Sequence, residues 1–252
     1  MSRLLAPLFS TVIVIAGSSA LRAADDDPKV ILQKAIKAHG GEDFLLKHQA
    51  VRASNKGKIS IPGVGEAEFT QDMAYMLPDK LKDKLDLSIG GQNISIVTVM
   101  NGDKLSIEAA GKAVDITDDI KKAMKDAQYM MSIARLAPLL KDKSYEISLF
   151  GAAKVEEKPA IGVRVTAKGQ KEITLFFDAK TGLLAKLEHR TVEAGTGAEI
   201  NEERIILEYK KNTDGISVPK KVLIKHDGKT FIEAESVEFT YLEKIDEGEF
   251  KK

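Results

Sequence analysis

Near its start the chain shows the apolar spacing of a helix. Apolar residues recur every three to four positions over residues 25–41, where Asp27 can cap the first turn and Pro28 suits the first helical position. Gly40 and Gly41 then stop the pattern. The sequence therefore predicts a helix over 25–41, followed by a short second helix over 42–48.

A longer helical pattern occupies the middle of the chain. Thr117 is a candidate N-cap, and apolar residues then recur at helical spacing to residue 140. Pro138 is expected to kink or end this predicted helix over 117–140. Its methionines, Met124 and Met131 among them, indicate either a helix packed on a sheet or a flexible lid that accepts varied apolar partners. Both interpretations stay open.

The remaining sequence alternates between apolar and polar residues, which is typical of strands. Turn-forming sequences separate the segments, and Asn101-Gly102 is a strong hairpin signal. We predict a single domain, mainly β (α+β), built on one curved antiparallel sheet or barrel. The predicted strands are 51–61, 66–76, 81–89, 93–100, 104–109, 112–116, 145–150, 160–167, 172–178, 183–190, 200–210, 216–225 and 230–241.

The C-terminal strands are predicted to be apolar on one side. Their other positions carry mostly Lys, Glu, Arg and Thr, so one side of the sheet is expected to face water. The apolar side must be covered, and the two main predicted helices are the available covers. Residues predicted to share the apolar side are Ile173, Leu175 and Phe177; Leu183, Ala185 and Leu187; Ile205, Leu207 and Tyr209; Val218, Val222 and Ile224; and Val237, Phe239 and Tyr241.

The first 24 residues have the order of a secretory signal peptide. Arg3 precedes an apolar run over 4–16, small residues follow, and Ala23-Ala24 stands just before an acidic triplet. We predict cleavage near Ala24, leaving residues 25–252 as one domain in the periplasm or outside the cell. An uncleaved membrane anchor is the alternative, although the apolar run is short for a bilayer of about 30 Å.

Composition narrows the range of functions. Basic and acidic residues number 38 each, so no charge excess favours nucleic acid. Cysteine is absent, which removes disulfides, thiolate metal sites and a lipid-bearing cysteine. We expect a monomer that uses no cofactor.

Motifs for catalysis or metal binding are absent from the sequence. No His-Glu-x-x-His pair or Gly-x-Ser-x-Gly elbow occurs, so no catalytic and no metal-binding residue is predicted. Acidic pairs, Glu156-Glu157 and Glu202-Glu203, are interpreted as solvated turns. The four histidines, interpreted as surface or capping residues, are His39, His48, His189 and His226.

The C-terminal part resembles a known family. Phe177 to Leu184 reads FDAKTGLL and is similar to the FD-x-x-TGLL turn of the LolA/LppX-like outer-membrane lipoprotein-sorting proteins. Gly215 to Pro219 resembles that family's G-x-x-x-P segment, and 245–250 resembles its acidic tail. The resemblance is strongest over 172–250. Over residues 28–170 the resemblance concerns the order of helices and strands.

The resemblance implies an unclosed antiparallel half-barrel whose helices cover the concave face and leave a cavity for acyl chains. Lipid or lipoprotein acyl chains are the expected ligand, with inner- and outer-membrane proteins as candidate partners. The residues expected to line the apolar cavity are Leu85, Leu87, Ile94, Ile96, Met124, Met131, Ile173, Leu175, Phe177, Leu187, Leu207 and Phe239.

Two other functions remain open from the sequence. One is a protein-interaction or envelope-sensing module on the same fold, its concave face filled by its own side chains. The other is a hydrolase assembled from dispersed residues. An apolar cavity favours the carrier, an exposed apolar patch favours the interaction module, and convergent polar groups with shifted pKa values favour the hydrolase.

Overall fold

The computed structural model describes residues 27–193 and 196–251; the predicted signal peptide lies outside this range. One antiparallel sheet of thirteen strands runs through the described chain in the order β6-β5-β4-β3-β2-β1-β13-β12-β11-β10-β9-β8-β7. The first and last strands do not pair with each other, so the sheet is unclosed, as predicted. The strands are β1 (Ala50–Ile61), β2 (Gly65–Met76), β3 (Lys80–Ile89), β4 (Gln92–Asn101), β5 (Lys104–Ala109), β6 (Lys112–Ala113), β7 (Tyr145–Val155), β8 (Lys158–Ala167), β9 (Ile173–Asp178), β10 (Leu184–Val192), β11 (Glu199–Lys211), β12 (Ser217–His226) and β13 (Lys229–Leu242).

Two short helices precede the sheet, and two more separate its halves. They are α1 (Pro28–Ala38), α2 (Glu42–Lys47), α3 (Asp118–Ala134) and α4 (Pro138–Lys141). The predicted caps are confirmed, because the side chains of Asp27 and Thr117 accept hydrogen bonds from Lys29 N at 2.9 Å and Ile120 N at 3.3 Å. The helix predicted over 117–140 is broken. Leu136 has a φ of 61°, and Pro138 starts a separate helix.

The FDAKTGLL segment forms the tight turn between β9 and β10. The Asp178 carboxylate accepts hydrogen bonds from the backbone N–H groups of Lys180 and Thr181 and from the Thr181 hydroxyl. Gly182 follows with a φ of +75°, a conformation that favours glycine. The motif is therefore a turn stabilised by its own aspartate, and it connects the antiparallel strands β9 and β10.

The larger apolar core lies between the helices and strands β7 to β10. Leu32 of α1, Ile133 of α3 and Leu139 of α4 are at most 2% exposed in this core. They pack against inward residues of the sheet such as Val163 and Leu175. The two predicted covers therefore do cover the apolar side of this half of the sheet.

A smaller core forms under α3 on the other half of the sheet. Met124 of α3 packs against its buried members, which are Val51, Ala53, Tyr75, Leu81 and Met100. The helix thus contacts both halves of the curved sheet on one side, which we call the inner face. Among the described residues, no helix is long and apolar enough to cross a membrane.

The outer face is less uniformly polar than predicted. Phe176 and Ile205 are buried there beneath charged side chains, with the Lys186 ammonium 4.6 Å from the Phe176 ring centroid. The C-terminal segment also packs on this face, where Phe250 lies against Ala50 and Ala74. The resemblance to an acidic tail therefore concerns a segment whose last aromatic ring is part of a core.

Candidate functional site

Beyond the two helix-packed cores, the inner face continues as an apolar wall. Leu85 pairs with Ile96, and Leu87 pairs with Ile94, so four aliphatic side chains stand together across β3 and β4. Phe69 of β2 pairs with Leu87 and extends the wall. We call Phe69, Leu85, Leu87, Ile94 and Ile96 the uncovered wall, since none of them belongs to a cluster that contains a helix residue.

The structure divides the twelve predicted cavity residues into groups. Four form most of the uncovered wall, and three of these are partly exposed: Leu85, Ile94 and Ile96. Met124, Met131 and Phe239 pack in or against the core under α3. Four are at most 2% exposed in the core under the helices: Ile173, Leu175, Phe177 and Leu187.

Leu207 lies away from the other eleven. A bulge between Ile206 and Glu208 inserts Leu207 as an extra residue in β11, and its side chain is 43% exposed. The prediction that Ile205, Leu207 and Tyr209 share the apolar face is therefore wrong. Ile205 points to the outer face, while the Tyr209 hydroxyl donates to Leu184 O at 2.7 Å.

Val237 is also displaced from its predicted face. The register of β13 against β1 shifts between Ser54 and Asn55, which leaves Val237 without a direct partner. Its side chain is 53% exposed, whereas Phe239 and Tyr241 pack in the core under α3. Alternation fails here for the same reason as at Leu207, because each extra residue reverses the faces beyond it.

A row of polar side chains borders the uncovered wall. The Asn55 amide donates to Gln71 Oε1 at 3.0 Å, and Gln71 in turn hydrogen-bonds Asp83 of β3. One carboxylate oxygen of Asp83, Oδ1, is buried and has no hydrogen-bond partner. Burial raises the pKa of Asp83 to about 6, although the Gln71 hydrogen bond acts in the opposite direction.

A second polar cluster lies on the inner face of β10, β11 and β12. Glu202 accepts hydrogen bonds from His189 Nε2 at 3.3 Å, His226 Nε2 at 3.1 Å and Arg204 Nε at 2.6 Å. Burial alone would raise the pKa of Glu202, but the Arg204 charge and these hydrogen bonds hold it far below its usual range. Glu202 is thus a buried carboxylate anion with three donors.

This cluster corrects two sequence interpretations. Glu202 is 8% exposed within a strand and is not part of a solvated turn, although Glu156-Glu157 does form one. His189 and His226 bind Glu202, whereas His39 and His48 hydrogen-bond the carbonyls of Ala35 and Phe44 near helix ends. Nowhere in residues 27–193 and 196–251 do three or more His, Cys, Asp or Glu side chains form a group that could hold a metal ion.

Arg135 ties the helices to the sheet. This residue follows α3, is 4% exposed, and donates through Nη2 to the carbonyl of Leu45 at 3.1 Å and to that of His48. Its guanidinium carbon lies 4.9 Å from the Tyr241 ring centroid. Arg135 therefore connects α3, α2 and β13 in one contact.

A groove of about 1030 Å³ crosses the outer face. Both lysines and carboxylates line it, among them Lys58, Lys221, Glu68 and Glu233. The mixed charge gives this groove no preference for a ligand of one sign. It contains Leu207 but none of the other predicted cavity residues except Leu87.

Comparison with solved structures identifies the architecture. A DUF1329 family protein from Desulfovibrio piger superposes with a TM-score of 0.53 at 12% identity, covering 90% of this chain and 98% of that one. A LolA superfamily protein from Nitrosomonas europaea gives a TM-score of 0.52 at 10% identity, covering 89% and 97%. The fold is LolA-like. No family model and no curated protein matches the sequence.

The LolA-like fold confirms the predicted resemblance and the predicted half-barrel. At these sequence identities the similarity concerns the fold alone. The ligand and the partners must be inferred from the side chains of this chain. The side chains that sequence reasoning missed are polar: Asn55, Gln71, Asp83, Arg135, Glu202 and Arg204. Asp83 shares the parity of Leu85 and Leu87, so alternation alone places it on the inner face.

Proposed function

We propose that this protein is an exported carrier that shields acyl chains of lipids or lipoproteins against its inner face. The observation that carries the proposal is the uncovered wall. Its aliphatic side chains adjoin the helix-packed cores, yet Leu85, Ile94 and Ile96 remain partly exposed. A bound acyl chain would remove this surface from water.

The energetics suit a carrier. Each buried methylene contributes about 0.8 kcal/mol, so a sixteen-carbon chain offers about 12 kcal/mol before the cost of ordering it is subtracted. Such a ligand needs contact with a continuous apolar surface and no covalent chemistry. The predicted signal peptide supports a place of action outside the cytoplasm, where acyl chains must cross an aqueous space between membranes.

The helices limit how much of the inner face is accessible. Leu175 and Leu187 are covered completely in the present arrangement, so an acyl chain meets the uncovered wall first. Deeper insertion requires α3 to move, and Arg135 holds α3 to α2. We propose that cargo loading begins at β3 and β4.

The test is binding of a fluorescent sixteen-carbon fatty acid to the chain comprising residues 25–252. Ile94→Glu places a carboxylate on the uncovered wall, and we expect at least tenfold weaker binding, because the charge must be desolvated against the chain. Asn93→Glu is the matched control. It adds the same charge to the adjacent, exposed residue whose side chain points to the outer face, and should bind as the unmodified chain does.

Circular dichroism establishes that both variants fold. Equal binding by the two folded variants contradicts the uncovered wall as the binding surface. No binding by the unmodified chain contradicts the carrier function itself and favours the protein-interaction module. Release of a hydrolysed product from an acyl ester would favour the hydrolase.

A further inference from the structure

Charged side chains are few on the inner face of the sheet. Away from the strand ends, the register of the described strands places three there: Asp83, Glu202 and Arg204. Arg204 is the cation of this set. Glu202 is its ion-pair partner, which offsets the cost of placing a charge on a largely apolar face.

Arg204 stands among the apolar residues of the inner face. Its cross-strand neighbours are Leu187 on β10 and Ile224 on β12, which are 2% and 8% exposed. Ile206, two residues along β11, packs against the larger core. The Arg204 side chain itself is 34% exposed, so its guanidinium can be reached between these apolar neighbours.

Glu202 fixes one edge of the guanidinium and leaves the other free. It accepts from Nε at 2.6 Å, and His189 and His226 hold Glu202 in turn. Within the described residues, the two Nη nitrogens of Arg204 donate no hydrogen bond to the protein. A guanidinium held in this way presents two parallel donors, the geometry that binds a carboxylate or phosphate in bidentate fashion.

The other arginines of the described chain are placed differently. Arg135 is used by helix carbonyls, and Arg52 forms an ion pair with Glu249 near the C-terminus. Arg164 lies 4.9 Å from the Phe150 ring centroid on the outer face, and Arg190 is exposed there. Arg204 is therefore the arginine whose free donors face the apolar side.

We propose that Arg204 binds the anionic end of an acyl ligand, either a carboxylate or a phosphate, while the chain lies on the apolar inner face. This inference rests on the proposed carrier function and names its ligand class as anionic amphiphiles. Glu202 is a positioning residue, since it orients the guanidinium without touching the ligand. The expected preference for an anionic over a neutral head group is about tenfold or more.

The experiment compares four probes at pH 8 by displacement of the fluorescent fatty acid: palmitate, hexadecyl phosphate, hexadecanol and inorganic phosphate. The unmodified chain should bind the first two at least tenfold more tightly than hexadecanol. Arg204→Gln should lose this preference while its affinity for hexadecanol stays the same. Arg190→Gln, the matched control, removes an equal charge from the outer face and should keep the preference.

The possible results separate the role of Arg204 from the carrier function. A preference for palmitate and hexadecyl phosphate over hexadecanol that persists in Arg204→Gln overturns the role of Arg204, and so does equal binding of all three amphiphiles by the unmodified chain. Both leave the carrier function intact. Displacement by inorganic phosphate at the concentrations effective for hexadecyl phosphate overturns the lipid assignment in favour of a free-anion site. Failure of all three amphiphiles contradicts the carrier function on which the inference rests.

Discussion

Asp83 provides a test of the inner face that needs no ligand. Its pKa rises from 3.8 to about 6 because burial disfavours the charged carboxylate. A difference of about 2 pKa units corresponds to about 3 kcal/mol. Since the folded state holds the proton more tightly, stability is unaffected by this group well below pH 3.8. It falls as pH rises from about 4 to 6 and stays lower above that range.

Asp83→Asn removes this cost while keeping an amide that can hydrogen-bond Gln71. We expect the variant to be more stable than the unmodified chain by up to about 3 kcal/mol at pH 8, and by less than about 1 kcal/mol at pH 4. Urea unfolding followed by circular dichroism at the two pH values measures both differences. The sign of the stability change is the decisive result, because replacing a carboxylate that forms an ion pair would destabilise the protein.

Asp86→Asn is the control for Asp83→Asn. Asp86 lies three residues further along β3 on the outer face, where a hydrogen bond from Lys84 lowers the pKa of its carboxyl. This control should gain no stability at pH 8. If Asp83→Asn gains nothing at pH 8, or gains equally at pH 4, the burial of this carboxylate on an apolar face is refuted.

Two further predictions concern the covers and the sheet. Arg135→Met removes the donor to the carbonyls of Leu45 and His48, and it should lower the free energy of unfolding by about 2–4 kcal/mol in thermal unfolding and speed amide exchange in α2. Unchanged amide exchange in α2 would show that Arg135 does not hold the helices together. Gly57→Ala should destabilise the β1–β13 pairing by about 3 kcal/mol or more, since a Cβ would lie 2.0 Å from Glu233 O; a loss below about 1 kcal/mol in urea unfolding would contradict this close approach.

Local patterns were sufficient to predict most of the architecture. The caps at Asp27 and Thr117 depend on neighbouring residues alone, and the hydrogen bonds confirm both. The turn at Asp178 is equally local, which is why its sequence is recognisable. One-sided alternation then predicted correctly which side of the sheet the helices cover.

The candidate site was less predictable because bulges reverse the faces of strands. Strict alternation, which ignores the bulge at Leu207, places Ile205 on the apolar face. It therefore places Arg204, the preceding residue, on the solvent-facing side. The partners of Glu202 come from three strands, and no local pattern connects them. Sequence alternation therefore predicts the apolar surfaces of the sheet more readily than the polar side chains that lie on them.

An acyl chain that lies on the inner face, starting at the uncovered wall, can be located by covalent capture. The most direct measurement is photo-crosslinking of the chain comprising residues 25–252 with a sixteen-carbon fatty acid that carries a diazirine in its chain, followed by peptide mass spectrometry. We expect adducts on β3 and β4 at Leu85, Ile94 and Ile96. Adducts confined to the outer face, around Leu207 and Phe150, would contradict this expectation.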